Sequence, residues 1–226
     1  MPSRDARPLP HAYTNVATVS GDVVTKTYRG PDAIERQQRE AQAIASLQGR
    51  LPVARILESR PGVLVLARVP GRHGQDLIDA GEGHMVMHGL GALLREVQAV
   101  QPDFYDETRG DGTLIHGDFG PNNVLFGEHD EHITLLADWE WSTTGSAITD
   151  LAWAEFIVRM HHQDHLDCIP ALFDGYGHHP AWSERQAAMA ERAAALEAWV
   201  RSWKGPAADT TWPRRSQAIK RWQELP

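Results

Sequence analysis

One cysteine, Cys168, in a chain of 226 residues excludes an intrachain disulfide and gives no sign of an oxidising compartment. No run of about eighteen apolar residues is present to span a bilayer. The first residues, Met1-Pro2-Ser3-Arg4-Asp5-Ala6-Arg7-Pro8, lack the apolar stretch of a secretory signal. A cytoplasmic protein with no membrane partner is therefore expected. Cationic charge is also in deficit: 22 Lys and Arg against 30 Asp and Glu give a formal net charge of -8. Nucleic-acid binders need clustered cations to displace counterions from phosphates, so no nucleic-acid partner is expected, while a cationic small molecule is permitted. Internal repeats and low-complexity tracts are missing too. With 42% apolar residues, the chain can bury a sizeable core as one domain or as two tightly joined lobes.

What is present is a concentrated polar motif. His116-Gly117-Asp118-Phe119-Gly120-Pro121-Asn122-Asn123-Val124-Leu125-Phe126 is followed by Leu135-Leu136-Ala137-Asp138-Trp139-Glu140. The first segment fits H-x-D-x-x-x-x-N, in which an Asp can accept a hydroxyl proton and an Asn five residues later can reach a magnesium ion. Asp138 offers a second metal ligand. Phosphoryl transfer asks little covalent chemistry of a protein; it needs a carboxylate for the nucleophile and oxygen ligands for ions that neutralise phosphates.

These segments resemble the aminoglycoside phosphotransferase family, small-molecule kinases with a protein-kinase-like fold that include choline kinase-like enzymes. His-Gly-Asp-Phe-Gly-Pro-Asn-Asn-Val-Leu is similar to the family's catalytic loop, Ala137-Asp138-Trp139-Glu140 to its metal segment, and Thr149-Asp150-Leu151-Ala152 to the Asp-Leu-Ala that follows. The resemblance spans roughly residues 13 to 178. It implies an α+β bilobal fold: a small N-terminal antiparallel sheet with one helix, over residues 1–69, and a mainly helical C-terminal lobe over residues 70–226. It further implies Mg2+ and ATP or GTP as phosphoryl donor.

Local patterns place the remaining parts. Loose alternation over residues 13 to 29 predicts a hairpin turning at Ser20-Gly21-Asp22, with Lys26 on its second strand, where the kinase scheme has a Lys on the nucleotide phosphates. A helix is expected from Asp32 to Gln48, with Ile34, Ala41, Ile44, Ala45 and Leu47 as its apolar members and Gly49 past its end. By resemblance, Glu40 on this helix pairs with Lys26; Glu35 is the competing carboxylate. The run Gly62 to Val69 reads as a buried strand leading to a hinge, and the resemblance makes Ala67 to Val69, Ala67 and Val69 in particular, candidate contacts to the nucleotide base. The region His11-Ala12-Tyr13-Thr14-Asn15-Val16 has no G-x-G-x-x-G, so Thr14 and Asn15 are the candidate phosphate contacts there.

Further on, Met87, Leu90, Gly91, Leu94 and Val97 mark one face of a helix over residues 84 to 100. Strands are expected at Val124 to Phe126 and Ile133 to Leu136. His116 suits a scaffold role, Asp118 is the catalytic carboxylate, and Asn123 and Asp138 are the metal ligands. Trp139 reads as packing, Glu140 as a supporting or substrate-contacting group, and Asp150 as a tie to the catalytic-loop backbone. Cys168 reads as a small buried residue. Leu196, Trp199, Val200 and Trp203 form a core stripe at helical spacing, broken by Gly205-Pro206. A last helix near Trp212 to Leu225, with Ile219 and Trp222 on one side, folds back on the lobe. By resemblance, Asp164, Asp167, Asp174 and Glu184 are candidate acceptor contacts. Two acidic loop groups, Asp103, Asp106, Glu107 and Asp111, then Glu128, Asp130 and Glu131, read mainly as solvated charge. His161 and His165 share i, i+4 spacing on an expected helix, but without H-E-x-x-H they do not read as a metal site.

The function expected is transfer of the terminal phosphoryl group of ATP or GTP to a hydroxyl of a small molecule, an aminoglycoside-like or other antibiotic. The alternatives are a metabolite kinase of choline, homoserine or amino-sugar type, and a catalytically weak nucleotide-binding regulatory protein. A phosphohydrolase using His116, Asp118 and Asp138 would leave Lys26, Glu40 and Asn123 without a role.

Overall fold

Alternating Val and Thr residues fold the N-terminal segment into strands β2 (Val16–Ser20) and β3 (Val23–Thr27), turning at Gly21 and Asp22. A computed structural model describes residues 7–8, 15–102, 112–129, 131–204 and 211–225. Thr14, the acidic residues Asp103, Asp106, Glu107, Asp111 and Asp130, and the Gly205-Pro206 break lie outside the described residues. With the short β1 (Arg7–Pro8), β4 (Ile56–Arg60) and β5 (Val63–Ala67), the hairpin makes a five-stranded antiparallel sheet in the order β1-β2-β3-β5-β4. Helix α1 (Ala33–Leu47) accompanies this sheet.

The buried side of α1 differs from the expected apolar set. Ile34 and Ala45 are exposed, and Arg36, Gln37 and Glu40 are buried beside Ala43, Ile44 and Leu47. The reason is that α1 turns a polar edge toward the C-terminal half, where charged partners wait. Strand β5 is likewise less enclosed than its composition implies: only Leu64 is fully buried, because Leu66 and Ala67 line a cavity instead.

Past residue 70, β6 (Arg72–His73) joins β8 (Val124–Phe126) and β9 (Ile133–Leu136) in a three-stranded sheet, ordered β6-β8-β9. Strands β7 (Thr113–Ile115) and β10 (Thr143–Gly145) form a separate antiparallel pair. Between β6 and β7 the described chain is mainly helical: α2 (Gly74–Leu77), then a π-helical stretch, then α3 (Gly83–Ala99). The remainder is α4 (Ile148–His161), α5 (Ile169–Tyr176), α6 (Trp182–Lys204) and α7 (Thr211–Arg221). This α+β arrangement is the protein-kinase-like fold. One hydrophobic cluster runs through both halves, from Tyr28, Ile44 and Leu64 to Leu90, Phe126 and Leu172. A second forms where α4, α6 and α7 meet around Trp153, Phe156, Met189 and Ile219.

The aromatic stripe of α6 is only partly core. Leu196 is buried, Trp199 is half-buried and Trp203 is 38% exposed. Trp203 lies against Gly30 at the end of the β-hairpin, so the end of α6 reaches across to the first half of the chain. Helix α7 folds back with Ile219 fully buried. His161 and His165 do not share a helix: α4 ends at His161, and His165 sits at φ -124 in a separate short helix, Gln163–Cys168. Cys168 is buried.

The described face of α3, Met87, Leu90, Gly91, Leu94 and Val97, is buried as the spacing predicts. Gly91 marks its crossing with α5, where an added Cβ would lie 2.1 Å from the Leu172 carbonyl oxygen and 2.5 Å from the Tyr176 nitrogen. Backbone cannot yield as a flexible side chain can. Gly91→Ala should therefore destabilise the protein by about 1–3 kcal/mol or more, read as a lower urea midpoint at unchanged slope; an unchanged midpoint would show that the helices are not in this contact.

Candidate active site

The catalytic-loop motif sits between β7 and β8, and its shape is imposed by three buried groups. Asp150, in the first turn of α4, accepts from the backbone N–H of His116 at 2.6 Å and of Gly117 at 2.9 Å. Gly117 has φ +85, and a Cβ there would fall 2.5 Å from the Trp141 carbonyl oxygen; only glycine meets both conditions without strain. His116 is fully buried. Its Nδ1 accepts from the Asp118 N–H at 3.2 Å, so its Nε2 carries the proton and donates to the Ala137 carbonyl oxygen at 2.8 Å. The His116 ring thus bridges the catalytic loop to the residue before Asp138. Its ring also tilts over Trp139, at 4.5 Å between centroids. The scaffold reading of His116, the tie by Asp150 and the packing role of Trp139, which is fully buried, agree with these contacts.

Asp118 is part-buried, and both of its carboxylate oxygens are engaged. Oδ1 accepts from the Trp153 indole N–H at 2.8 Å, and Oδ2 from Asn123 Nδ2 at 2.9 Å and Asn122 Nδ2 at 3.2 Å. Burial raises its pKa first and the nearby Asp138 charge second, against the lowering effects of Trp153, Arg192 and Asn123. A carboxylate held this way is oriented and a better proton acceptor than a free one. Trp153 and Asn122 were not singled out in the sequence. Asn122 lies inside the motif, whereas nothing in the spacing of a buried helical Trp signals an indole aimed at Asp118.

Lys26, Glu40 and Asp138 meet although they are far apart in sequence. Lys26 Nζ donates to Glu40 Oε2 at 2.6 Å and to Asp138 Oδ1 at 2.5 Å. The Tyr28 hydroxyl also donates to Glu40. Burial alone would lower the Lys26 pKa, but Asp138, Glu40 and Glu140 together leave it well above its ordinary value. Lys26 is therefore a fixed cation. Glu35, the competing carboxylate, is exposed. Asp138 itself takes a left-handed backbone, φ 69 and ψ 56, a strained conformation for a non-glycine residue of the kind found at working sites.

These residues border a cavity of about 690 Å³, in the range that holds a nucleotide-sized ligand. Ala17, Val24, Leu66, Leu125 and Leu135 give it an apolar section, and Lys26, Asn122, Asn123 and Asp138 a polar one. Ala67 and Val69 line it at the hinge. The amide of Ala67 is already bonded to the Arg55 carbonyl oxygen at 2.8 Å and that of Arg68 to Asp22 at 2.8 Å. Ala67 can therefore meet a base only through its carbonyl side, while Val69 is the candidate donor.

The oxygen donors suit a hard cation. Asn123 spends its Nδ2 on the Asp118 carboxylate and the Asp118 carbonyl oxygen, at 2.7 Å to the latter, leaving Oδ1 as the ligand atom. The carboxylates of Glu40, Asp138 and Glu140 also lie within 4.8 Å of one another. Glu40 and Glu140, however, are fully buried and paired with Lys26 and Arg36, whereas Asp138 gives Lys26 only its Oδ1 and is partly exposed. That leaves Asp138 and Asn123 as the fitting pair.

Asn15 also borders the cavity. Its Nδ2 donates to Glu140 at 2.8 Å, and its Oδ1 accepts from Arg29 N at 3.2 Å and Arg36 Nη1 at 3.4 Å. Both ends of the side chain are bonded inside the protein, so it braces Glu140 at the edge of the cavity. Arg36 also lies over the Trp141 and Trp199 rings. Asp164, Asp167, Asp174 and Glu184 are exposed and none lines this cavity.

The buried His116 has its pKa pushed down to about 4 by desolvation, against a raising effect of the Ala137 hydrogen bond. The unfolded chain then binds more protons between about 4 and 6.5, so His116 contributes stability that grows as pH rises through that window. Asp150, pushed up to about 6 by burial, works in the opposite direction but is common to wild type and variant. The stability advantage of wild type over His116→Gln should thus increase by up to about 3 kcal/mol between pH 4 and 6.5, measured by urea unfolding. A pH-independent difference would contradict a buried neutral ring.

Residues 93–188 match the family described as "APH: Phosphotransferase enzyme family". A 41-residue stretch is 46% identical to part of Acyl-CoA dehydrogenase family member 11 of Gallus gallus, covering 18% of this chain and 5% of that protein. Among solved structures, the GDP and kanamycin complex of APH(2")-IIia matches with a TM-score of 0.71 and 13% identity, over 96% of this chain and 92% of that one. A choline/ethanolamine kinase family protein from Mesorhizobium loti matches with a TM-score of 0.68 and 16% identity, over 95% and 85% of the two chains. The macrolide 2'-phosphotransferase MphH from Brachybacterium faecium matches at 0.63 and 16%, over 97% and 93%. In fold, over nearly its whole length, the chain is similar to aminoglycoside phosphotransferases and to a choline/ethanolamine kinase family protein, and the segment that carries the catalytic-loop motif matches the phosphotransferase family in sequence.

Proposed function

We propose that the protein is a small-molecule O-phosphotransferase that moves the terminal phosphoryl group of ATP or GTP to an alcohol. In this reading residues 1–69 form the nucleotide-binding lobe and residues 70–226 the catalytic and acceptor-binding lobe. The observation that carries it is the placement of Asp118, gripped by Trp153, Asn122 and Asn123, beside a cavity whose polar end holds Lys26 and Asp138 at 2.5 Å. Lys26, positioned by Glu40, faces the donor phosphates. Ala67 and Val69 border the base. Asp138 and Asn123 Oδ1 would hold Mg2+, which supplies neutralisation of the phosphate charge. Asp118 orients the acceptor hydroxyl and takes its proton as the bond to phosphorus forms.

Two acceptor classes are in play. Several structural relatives were solved with kanamycin, gentamicin or streptomycin, which supports a cationic antibiotic. A metabolite acceptor is favoured by the state of the carboxylates on α4, α6 and the C-terminal end. Glu155 is paired with Arg159 at 2.8 Å and Arg185 at 2.6 Å, Glu224 with Arg185 at 2.9 Å, and Glu197 with Arg201 at 2.5 Å. Carboxylates already neutralised are poor anchors for a polycation.

Magnesium-dependent nucleotide consumption with pooled hydroxyl compounds tests the reaction. Asp118→Asn should lower acceptor-stimulated turnover by about a hundredfold or more while nucleotide still binds, and chelation of divalent cations should abolish it. Turnover that survives Asp118→Asn would overturn the assignment. Trp153→Phe keeps the ring stacked on Phe156 but removes the donor to Asp118. It should reduce kcat by about tenfold with the nucleotide KM unchanged; equal loss in nucleotide binding would mean that the indole only supports the fold.

A further inference from the structure

Tyr28 carries a hydroxyl that a purely apolar position would not need. It follows Lys26 by two residues, and its amide adds a rung to the β3–β5 pairing by donating to the Gly62 carbonyl oxygen at 2.9 Å. Residues two apart on a strand share a face, so the Tyr28 ring lies beside the ammonium group, with Lys26 Nζ 4.9 Å from the ring centroid. The ring is buried in the cluster that runs through both halves. Phe would fill that space. The phenol instead donates to Glu40 Oε2, the same oxygen that accepts from Lys26. Burial first, and the Glu40 charge next, push the Tyr28 pKa up, so the hydroxyl keeps its proton and Glu40 remains the acceptor.

Lys26 divides its donors between Glu40 and Asp138. A divalent ion on Asp138 competes with Lys26 for that carboxylate, and a triphosphate also draws on the ammonium group. Glu40 is then the carboxylate left to hold Lys26 in place. Glu is a long side chain whose ordering costs rotamer entropy, and a second donor on its Lys26-bound oxygen restricts it before the nucleotide arrives. We infer that Tyr28 is a positioning residue for the donor phosphates: its hydroxyl fixes Glu40, its ring flanks Lys26, and together they keep the ammonium group aimed at the polar end of the cavity. This rests on the phosphotransferase reading above. Lys26, Glu40 and Asp138 line that cavity, whereas Tyr28 does not. Tyr28 therefore acts through its neighbours and not by touching the nucleotide.

The test separates phosphate binding from base binding. Tyr28→Phe keeps the ring and removes the donor. With magnesium present it should weaken ATP or GTP, whichever the wild type binds, by about five- to tenfold. The matching nucleoside, adenosine or guanosine, should bind as tightly as before; calorimetric titration reads both. Glu40→Ala should weaken the nucleotide at least as much, and adding Tyr28→Phe to it should cost less than about twofold, because the two changes act on one path. Should Glu40→Ala fail to fold, the comparison of nucleotide with nucleoside in Tyr28→Phe decides alone. Equal loss for nucleotide and nucleoside, no loss for either, additive losses in the double variant, or a Tyr28→Phe protein that does not fold would overturn the inference. Any of these alongside wild-type transfer to a hydroxyl leaves the phosphotransferase reading intact. A loss confined to the nucleotide, in a protein that transfers phosphate to no hydroxyl, supports the role of Tyr28 and sinks that reading instead. A wild type that binds neither nucleotide overturns both.

Discussion

A buried ammonium group joins the two halves of the molecule. Lys26 Nζ lies 2.6 Å from Glu40 on α1 and 2.5 Å from Asp138 beyond β9, so one charge fixes a strand, a helix and the segment expected to bind metal. A cation taken out of water is tolerated only when its partners are close and well oriented. Both carboxylates are, and the Lys26 pKa stays high as a result. A second tie runs parallel to it: Arg36 on α1 pairs with Glu140, and Arg39 donates to the Glu140 carbonyl oxygen at 2.9 Å. The polar edge of α1 thereby sets the distance between the sheet of the first half and the Asp138 segment, and with it the width of the cavity between them.

The catalytic loop depends on a different economy, in which neutral and anionic groups satisfy backbone. Asp150 receives two consecutive amides, and the His116 ring spans from the Asp118 amide to the Ala137 carbonyl. His116, Gly117 and Asp118 are thus tied to α4 or to the residue just past β9. Asp118 and Asp138 are held in register although 20 residues apart in number, read directly from their positions.

Much of this was legible in the sequence because it is local or carried by a motif. The hairpin turn, the strands flanking residues 127–132, the buried face of α3 and the loop around Asp118 follow from periodicity, turn residues and spacing. What escaped was decided by partners distant in the chain. Asn15 reads as a turn residue near phosphate, yet Glu140, 125 residues away, claims its amide. Arg36 and Gln37 occupy buried positions that no hydrophobic count would assign to them. Trp203 falls on a core stripe by spacing, but the helix end leaves the core and meets Gly30. Trp153 reaches Asp118, with Arg192 of α6 over its ring, because α4 and α6 pack side by side, which no local pattern encodes. The surroundings of Asp118 on the side of α4 and α6 were accordingly the least readable part.

The central claim is that a phosphoryl group leaves a nucleotide and arrives on a carbon-bound oxygen. Phosphorus NMR of the protein with magnesium, ATP or GTP, and pooled hydroxy acids, hydroxyl-bearing phosphate esters, neutral alcohols and antibiotics observes this directly. The account predicts a new phosphomonoester resonance growing in step with nucleoside diphosphate, and none with Asp118→Asn. Inorganic phosphate as the sole product with every pool, or a phosphoester formed equally well by Asp118→Asn, would contradict it.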